Sequence, residues 1–307
     1  MVFKKMLKAL GVGGPSVDTV LRTPTSEPGA PLEGEVRMLG GDQDADIDRV
    51  ALSLVTRVER GEQGVATMEF HRVVIGGRFR LPAKTEHVIP FQVPLPWEAP
   101  ITEVFGHHLH GMALGVRTEL AVAKAVDQSD LDPVRIRPLP AQERVLDAFG
   151  ALGFQFRSAD LEAGRLHGVR QELPFFQEIE FYPPRQYSGR VNQVELTFAA
   201  NPHGLEVILE ADKRSGLFQS GGDMIGRFGM SHDEAMHTDW ARVIDEWLQQ
   251  VISRRGSHQG FGHHGHRGHH GPGVGGVVAG AAAGVVGGMV LGEVLDEIGD
   301  AFFGDED

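Results

Sequence analysis

The sequence predicts an all-β protein built from two antiparallel β-sandwiches, and three observations lead to this fold class. Most of the first 215 residues alternate apolar and polar side chains with a period of two, as half-buried strands do. Gly, Pro and Asp separate these stretches, which favours sandwiches over a parallel sheet with intervening helices. Three prolines within residues 131–140 interrupt strand pairing and stiffen the chain, so we expect a connector between two domains there.

The strand candidates follow one another at short spacing. Within residues 50–58, the side chains of Val50, Leu52, Leu54 and Val58 are apolar, while Ser53 faces the other way. A second strand is carried by alternate apolar residues from 116 to 126. The remaining predicted strands are residues 17–21, 34–39, 65–75, 87–93, 154–158, 175–181, 194–198 and 205–211. The last two are joined by Asn-Pro-His-Gly at 201–204, which predicts a hairpin turn.

Two stretches have helical periodicity. Residues 141–152 place apolar side chains at i, i+4 and i+7. A longer helix is predicted at about 233–255, because Ser231 and Glu234 have capping-box spacing and Gly256 follows the last turn. Its wide apolar stripe contains Trp240 and Trp247, and we expect that stripe to be buried against a sheet.

The pattern divides the chain into three parts. Residues 1–131 form the predicted first sandwich, and residues 132–256 form the second with its helix. Residues 257–307 read as an appendage, because their glycine content makes ordering costly and their small side chains bury little area. This tail contains a His/Gly tract, an apolar Gly/Ala tract and an acidic end.

The histidine tract is a weak candidate for metal binding. Six histidines within residues 258–270, separated by glycines, can wrap Zn²⁺, Ni²⁺ or Cu²⁺ in vitro. We assign them no metal in the cell, because such tracts are also plain linkers. The candidates are His263, His264, His266, His269 and His270.

A glycine zipper is the candidate interaction element of the tail. Five glycines recur every four residues and would line a groove on a helix where another helix approaches closely, namely Gly276, Gly280, Gly284, Gly288 and Gly292. The pattern leaves three readings open: reversible oligomerisation or shallow membrane contact, a disordered tail, or a membrane span. Residues 274–292 form an uncharged stretch of 19 residues. This length is close to the roughly 20 residues that a membrane span needs.

Charge and residue content exclude several function classes. With 29 Lys and Arg against 42 Asp and Glu, the chain has a net charge of −13, which argues against binding nucleic acid. The absence of cysteine rules out disulfides and thiolate metal sites and fits a reducing cytoplasm. No serine-hydrolase elbow, zinc-protease or nucleotide-binding motif occurs, so we expect no catalytic residue, no cofactor and no enzymatic activity. His107, His108 and His110 lack a neighbouring carboxylate or thiol and are interpreted as loop residues.

The N-terminal segment is amphipathic. Val2, Phe3, Met6, Leu7 and Leu10 share one helical face, and three lysines lie largely on the other. Such a segment can dock on the first sandwich or on an anionic bilayer, and its short length favours docking. A signal peptide is rejected, because Lys8 interrupts the apolar stretch.

The order of segments resembles the sporulation-control family of spore-forming bacteria, the stage-zero "M" proteins. The likeness includes Ile-Pro-Phe-Gln-Val-Pro-Leu-Pro at 89–96 and Glu-Leu-Pro-Phe-Phe-Gln-Glu-Ile-Glu-Phe at 172–181, and it covers about residues 1–252. The other segments that carry it are residues 1–21, 34–58, 115–133 and 205–214.

The resemblance implies an arrestin-like fold for both sandwiches. It also implies a cytoplasmic regulator or adaptor that acts through protein contacts, with no catalytic residues. Regulatory or cell-division proteins are the expected partners, and homo-oligomers and contact with the inner face of the cell membrane remain open. The competing interpretation is a membrane-associated scaffold that uses the zipper and the basic N-terminal segment.

Overall fold

The structure is a computed structural model that describes residues 13–123, 125–212 and 224–258. The predicted amphipathic N-terminal segment and the whole tail beyond residue 258 lie outside the described residues. The described chain folds into two units with separate main cores: the first unit is residues 13–136, and the second unit is residues 140–258.

The described residues form seventeen strands and three α-helices. The strands are Ser16–Leu21 (β1), Thr25–Ser26 (β2), Pro31–Leu39 (β3), Ala45–Glu59 (β4), Val65–Gly76 (β5), Phe79–Leu81 (β6), Glu86–Pro94 (β7), Glu103–Val104 (β8), His107–His108 (β9), Leu114–Val122 (β10), Gln128–Pro133 (β11), Arg135–Ile136 (β12), Gln155–Ala163 (β13), Phe175–Tyr182 (β14), Val194–Asn201 (β15), Gly204–Ala211 (β16) and Met224–Met230 (β17). The helices are Pro140–Leu152 (α1), His232–His237 (α2) and Trp240–His258 (α3). The predicted all-β class with antiparallel strands is confirmed.

The first unit is a sandwich of two sheets. One sheet has the order β1-β3-β7; the other has the order β11-β10-β4, with β5 and β6 paired to the far edge of β4. Alternate residues of β4 enter the core between the sheets, as the sequence pattern predicts, and Val50, Leu52 and Leu54 are buried there. The predicted strands at 65–75 and 87–93 are confirmed as β5 and β7.

Strand β4 also links the two units. It is 15 residues long, and its last apolar residue, Val58, packs in the core of the second unit. Glu59 pairs in parallel with Glu162 of β13, so strands from both units form one ten-stranded sheet. The units therefore share a strand as well as a chain connection.

The second unit is an antiparallel sheet of order β13-β14-β15-β16-β17, and its main core is shared with the three helices. The helices supply the second layer, and the predicted burial of Trp240 and Trp247 is confirmed, at 2% and 7% exposure. On the other face, Leu166 packs with Phe176 and Ile208 in a smaller cluster. The loop between β13 and β14 is thereby held on the sheet.

The helix predicted at 233–255 is in fact two helices, α2 and α3. The predicted capping box is present: Glu234 N–H donates to Ser231 Oγ at 3.2 Å, and Ser231 N–H donates to Glu234 Oε2 at 2.9 Å. The chain then leaves the helix at Thr238, whose backbone is extended and whose hydroxyl donates to Glu234 O. Asp239 Oδ1 accepts the Arg242 N–H at 3.2 Å, so a second capping side chain starts α3.

The proline-rich segment contains more strand than the sequence indicates. Its first residues, 131–133, belong to β11, which pairs with β10 from Gln128 to Pro133. Pro133 is tolerated because β11 lies at the edge of its sheet, where one side of the strand needs no partner. The boundary predicted after residue 131 thus falls inside a strand. The strand predicted at 116–126 ends at Val122, and Val126 is 50% exposed.

Candidate functional site

The two units meet at a cleft with a cavity volume of about 260 Å³. The first unit contributes the segment after β7. The second contributes the loop between β13 and β14 and the hairpin turn between β15 and β16. The residues that line the cleft are Pro96, Trp97, Glu98, Arg170, Glu172, Ala200, Asn201, Pro202 and His203. We call these nine residues the Trp97 cleft.

The Trp97 indole is half-buried and held between two neighbours. On one side lies Gly29, with φ +76°, whose N–H donates to Pro96 O at 3.3 Å. A Cβ at position 29 would fall 2.6 Å from the indole, so only glycine lets the backbone approach this closely. The imidazole of His232 lies 5.6 Å away between ring centroids, tilted by 33°, and its Nε2 is 2.8 Å from Asn201 O. The indole is therefore fixed while part of it stays accessible.

Glu98 ties the first unit to the second. Its carboxylate accepts the backbone N–H groups of Glu172 and Leu173, each at 2.8 Å. Burial raises the pKa of the Glu98 carboxyl, while the two amide donors act in the opposite direction. These charge-assisted hydrogen bonds fix the position of the loop that carries Arg170 and Glu172.

Two glutamines complete the junction. Gln177 Oε1 accepts Ile101 N–H at 2.9 Å, and its Nε2 donates to Ile101 O at 2.7 Å, which imitates a strand pair. Gln171 is buried in the same loop, and its amide nitrogen lies 2.7–2.9 Å from the carbonyl oxygens of Gly164, Leu173 and Phe175. The wall of the cleft is thus set by hydrogen bonds before any ligand binds.

The rim of the cleft carries exposed polar groups of both signs. Arg170, Glu172 and His203 are exposed, and the turn that presents His203 is the predicted Asn-Pro-His-Gly turn. Asn201 Oδ1 accepts the His203 N–H at 2.9 Å, a side-chain-stabilised turn. At Gly204 a Cβ would fall 2.3 Å from Met230 O, so glycine is required where the turn meets β17.

The arrangement offers an aromatic wall, two prolines and a charged rim. At about 260 Å³ the cavity is smaller than the roughly 300–1,000 Å³ of typical pockets for cofactors and small ligands. It is of a size to take one or two side chains of a bound segment. Its chemistry suits stacking on the indole and hydrogen bonding at the rim.

No sequence pattern singles out the Trp97 cleft, because its residues are far apart in the chain. Two segments quoted for the family resemblance meet there, however. Pro96 ends the segment 89–96, and Glu172 begins the segment 172–181, which also supplies Gln177. The proline-rich run before Trp97 was the available signal.

The candidate metal and interaction residues of the sequence analysis lie elsewhere. His107 and His108 form β9, which pairs with β8 in a short hairpin. Within the described ranges, the one group of three or more possible metal ligands is Asp160, Glu162 and Glu178, and no histidine belongs to it. These carboxylates already interact with other groups. The tail histidines 263–270 and the zipper glycines 276–292 lie outside the described residues, so their roles stay predictions.

Among the residues that the structure describes, none of the helices combines the length and the apolar character that crossing a membrane requires.

Comparison with known proteins gives consistent matches over most of the chain. The model of the Spo0M family, described as SpoOM protein, matches residues 3–215. The sporulation-control protein Spo0M of Bacillus subtilis is 31% identical over 263 residues, which cover 82% of this chain and 98% of that protein. The crystal structure of Spo0M from Bacillus subtilis has a TM-score of 0.70 to this structure at 31% identity, covering 78% of this chain and 99% of that one.

Proposed function

Because this chain belongs to the Spo0M family, we propose that it regulates sporulation as a non-enzymatic adaptor, binding a protein partner at the Trp97 cleft. The observation that carries the docking site is a half-buried indole fixed at a hydrogen-bonded junction between two units. The sporulation role rests on the family.

The dimensions of the cleft favour a segment of a partner protein over a cofactor. A segment can place one apolar side chain in the cavity and leave its backbone on the polar rim. Trp and Arg are the side chains that most often dominate binding energy at protein interfaces, and the cleft presents Trp97 beside Arg170. Because the wall is preformed, little ordering cost opposes binding.

Site-specific cross-linking in living cells tests the docking site. A photoreactive p-benzoylphenylalanine at position 203, on the rim, should give a discrete adduct in sporulating cells. The same residue at position 60, which is exposed and outside the cleft, serves as the control. Arg170→Glu should remove the adduct at position 203, because it reverses a rim charge without touching the core.

Two outcomes would rule out docking at the Trp97 cleft: the same adducts from positions 203 and 60, or an adduct at 203 that survives Arg170→Glu. A loss with Trp97→Ala alone would not separate binding from packing, since Trp97 also contacts the core of the second unit. Arg170→Glu is therefore the decisive variant.

The proposal places the protein in the cytoplasm, with regulatory or cell-division proteins as its partners. The alternative of a membrane-associated scaffold depends on the N-terminal segment and the tail, which lie outside the described residues. Homo-oligomerisation through the glycine zipper stays a prediction for the same reason.

A further inference from the structure

Polar side chains connect the two sheets along one side of the first sandwich, and we call this contact between Thr19, Thr118, Asp130 and Asp132 the polar seam. Strand β1 belongs to the three-stranded sheet and β11 is the edge strand of the large sheet, and the two strands lie against each other. The Thr19 N–H donates to Asp130 Oδ2 at 2.7 Å, and the Thr19 and Thr118 hydroxyls share a buried hydrogen bond of 2.5 Å. Polar groups therefore connect the two sheets at this side, where a sandwich core is usually apolar.

Two carboxyl groups occupy the inner face of β11. Asp130 lies opposite Thr118 and Asp132 opposite Val116 in the register with β10, and both β10 residues are buried. Asp130 and Asp132 therefore point to the same side of the sheet as the core residues. The Oδ2 atom of Asp132 is buried and has no hydrogen-bond donor among the described residues.

The surroundings of Asp132 disfavour its charge. Burial is the largest cause, and the carboxyl groups of Asp130 and Asp18 add to it, which together raise the pKa of Asp132 from 3.8 to about 7. Asp130 acts from β11 itself and Asp18 from β1, while the residues that face this position from β10 are Val116 and Thr118. Among the described residues, the charged groups that shift the pKa of Asp132 are carboxyl groups, and no cation is one of them.

We propose that Asp130 and Asp132 share a single proton that holds β1 against β11. Loss of this proton loosens the contact between the two strands, and with it this side of the first sandwich. Two neighbouring carboxyl groups cannot both ionise without strong repulsion, so they share a proton while they stay together. When the proton leaves, the Asp132 carboxylate gains most by moving towards water. That movement draws the edge of β11 away from Thr19.

The direction of the pH dependence follows from linkage. The pKa of Asp132 in the folded chain lies above its ordinary value, so the folded form binds the proton more tightly than the unfolded form. The seam is closed while Asp132 is protonated, and its stability falls as the pH rises from about 4 to about 7. Above that range both forms have lost the proton, so the stability of the seam no longer changes with pH. The first unit would thus respond to pH changes between about pH 4 and pH 7, independently of the Trp97 cleft.

Hydrogen–deuterium exchange on the full chain at pH 5 and pH 7.5 tests the seam, with rates corrected for the intrinsic pH dependence of exchange. Protection of the peptide that contains Thr19 should fall by up to about tenfold per pH unit from pH 5 to pH 7 and level off above, as expected for opening linked to one proton. In Asp132→Asn the neutral amide mimics the protonated carboxyl, so protection should not change with pH.

Asp48→Asn is the matched control, because Asp48 is exposed, pairs with Arg78 and is not one of the groups that act on Asp132; it should keep the pH dependence of the wild type. Should Asp132→Asn fail to fold, Asp130→Asn removes the neighbouring charge while its amide oxygen still accepts the Thr19 N–H. It should weaken the pH dependence and move it to lower pH, because burial of Asp132 remains. Protection that is independent of pH in the wild type would overturn the proposal. A pH dependence that is unchanged in Asp132→Asn and Asp130→Asn would also overturn it.

Discussion

Replacing Trp247 with alanine is expected to lower the free energy of unfolding by about 3 to 5 kcal/mol, as a large-to-small change in a packed core does. Trp247 is 7% exposed and packs in the main core of the second unit. The indole fits tightly against β17: a Cβ at Gly226 would fall 2.7 Å from it. Because Gly226 has no side chain, it cannot fill the space that the lost indole would leave.

Urea unfolding of the full chain, followed by far-ultraviolet circular dichroism, measures this loss. Trp247→Phe is the matched variant, since it keeps an aromatic ring in the core and should cost clearly less than alanine. A change within about 0.5 kcal/mol for Trp247→Ala, typical of surface positions, would mean that the stripe on α3 is an exposed binding face instead of core.

Replacing Gln171 with alanine is expected to cost at least about 3 kcal/mol, because each buried polar group left without a partner costs roughly 1–3 kcal/mol. The Gln171 side chain is 8% exposed and satisfies Leu166 N–H at 2.8 Å as well as carbonyl oxygens of its own loop. Its loss should also release the loop that carries Arg170. Partner binding at the Trp97 cleft should therefore weaken together with stability.

Gln128→Ala is the control for this change, because the side chain of Gln128 makes one exposed hydrogen bond, from Nε2 to Val126 O at 3.3 Å. It should alter stability by less than about 0.5 kcal/mol. If Gln171→Ala were equally mild in urea unfolding, the loop between β13 and β14 would be held by the Leu166 cluster alone, and the hydrogen-bonded wall would not be what positions the site.

Alternation of apolar residues predicted most of the strands, because a half-buried strand records its two environments in successive residues. The strand at 50–58 and the hairpin around 201–204 are confirmed in this way. Strand β17 was missed for a physical reason: glycine stands at position 226, where a side chain would meet the Trp247 indole, so the apolar pattern is diluted. The break between α2 and α3 depends on Asp239, whose capping role competes with an otherwise continuous helical stripe.

The Trp97 cleft could not be predicted from periodicity, since Trp97, Arg170 and His203 come from three separate segments. Only the fold brings them together, through Glu98 and Gln177 at the junction. The family resemblance, in contrast, was available from short segments and is confirmed by the match over residues 3–215. The comparison with arrestins and the division at residue 131 stay predictions.

If this chain controls sporulation through the Trp97 cleft, as we propose, a substitution in the cleft should change the number of heat-resistant spores. The gene would be replaced at its own locus by Arg170→Glu, by Arg60→Glu as the exposed control, and by a deletion. We expect Arg170→Glu to reproduce the effect of the deletion on spore number at unchanged protein level, because losing a hot-spot contact of about 2 kcal/mol weakens binding roughly 30-fold. Arg60→Glu should match the wild type. Wild-type spore counts in Arg170→Glu, in cells where the deletion has an effect, would show that sporulation does not depend on the Trp97 cleft.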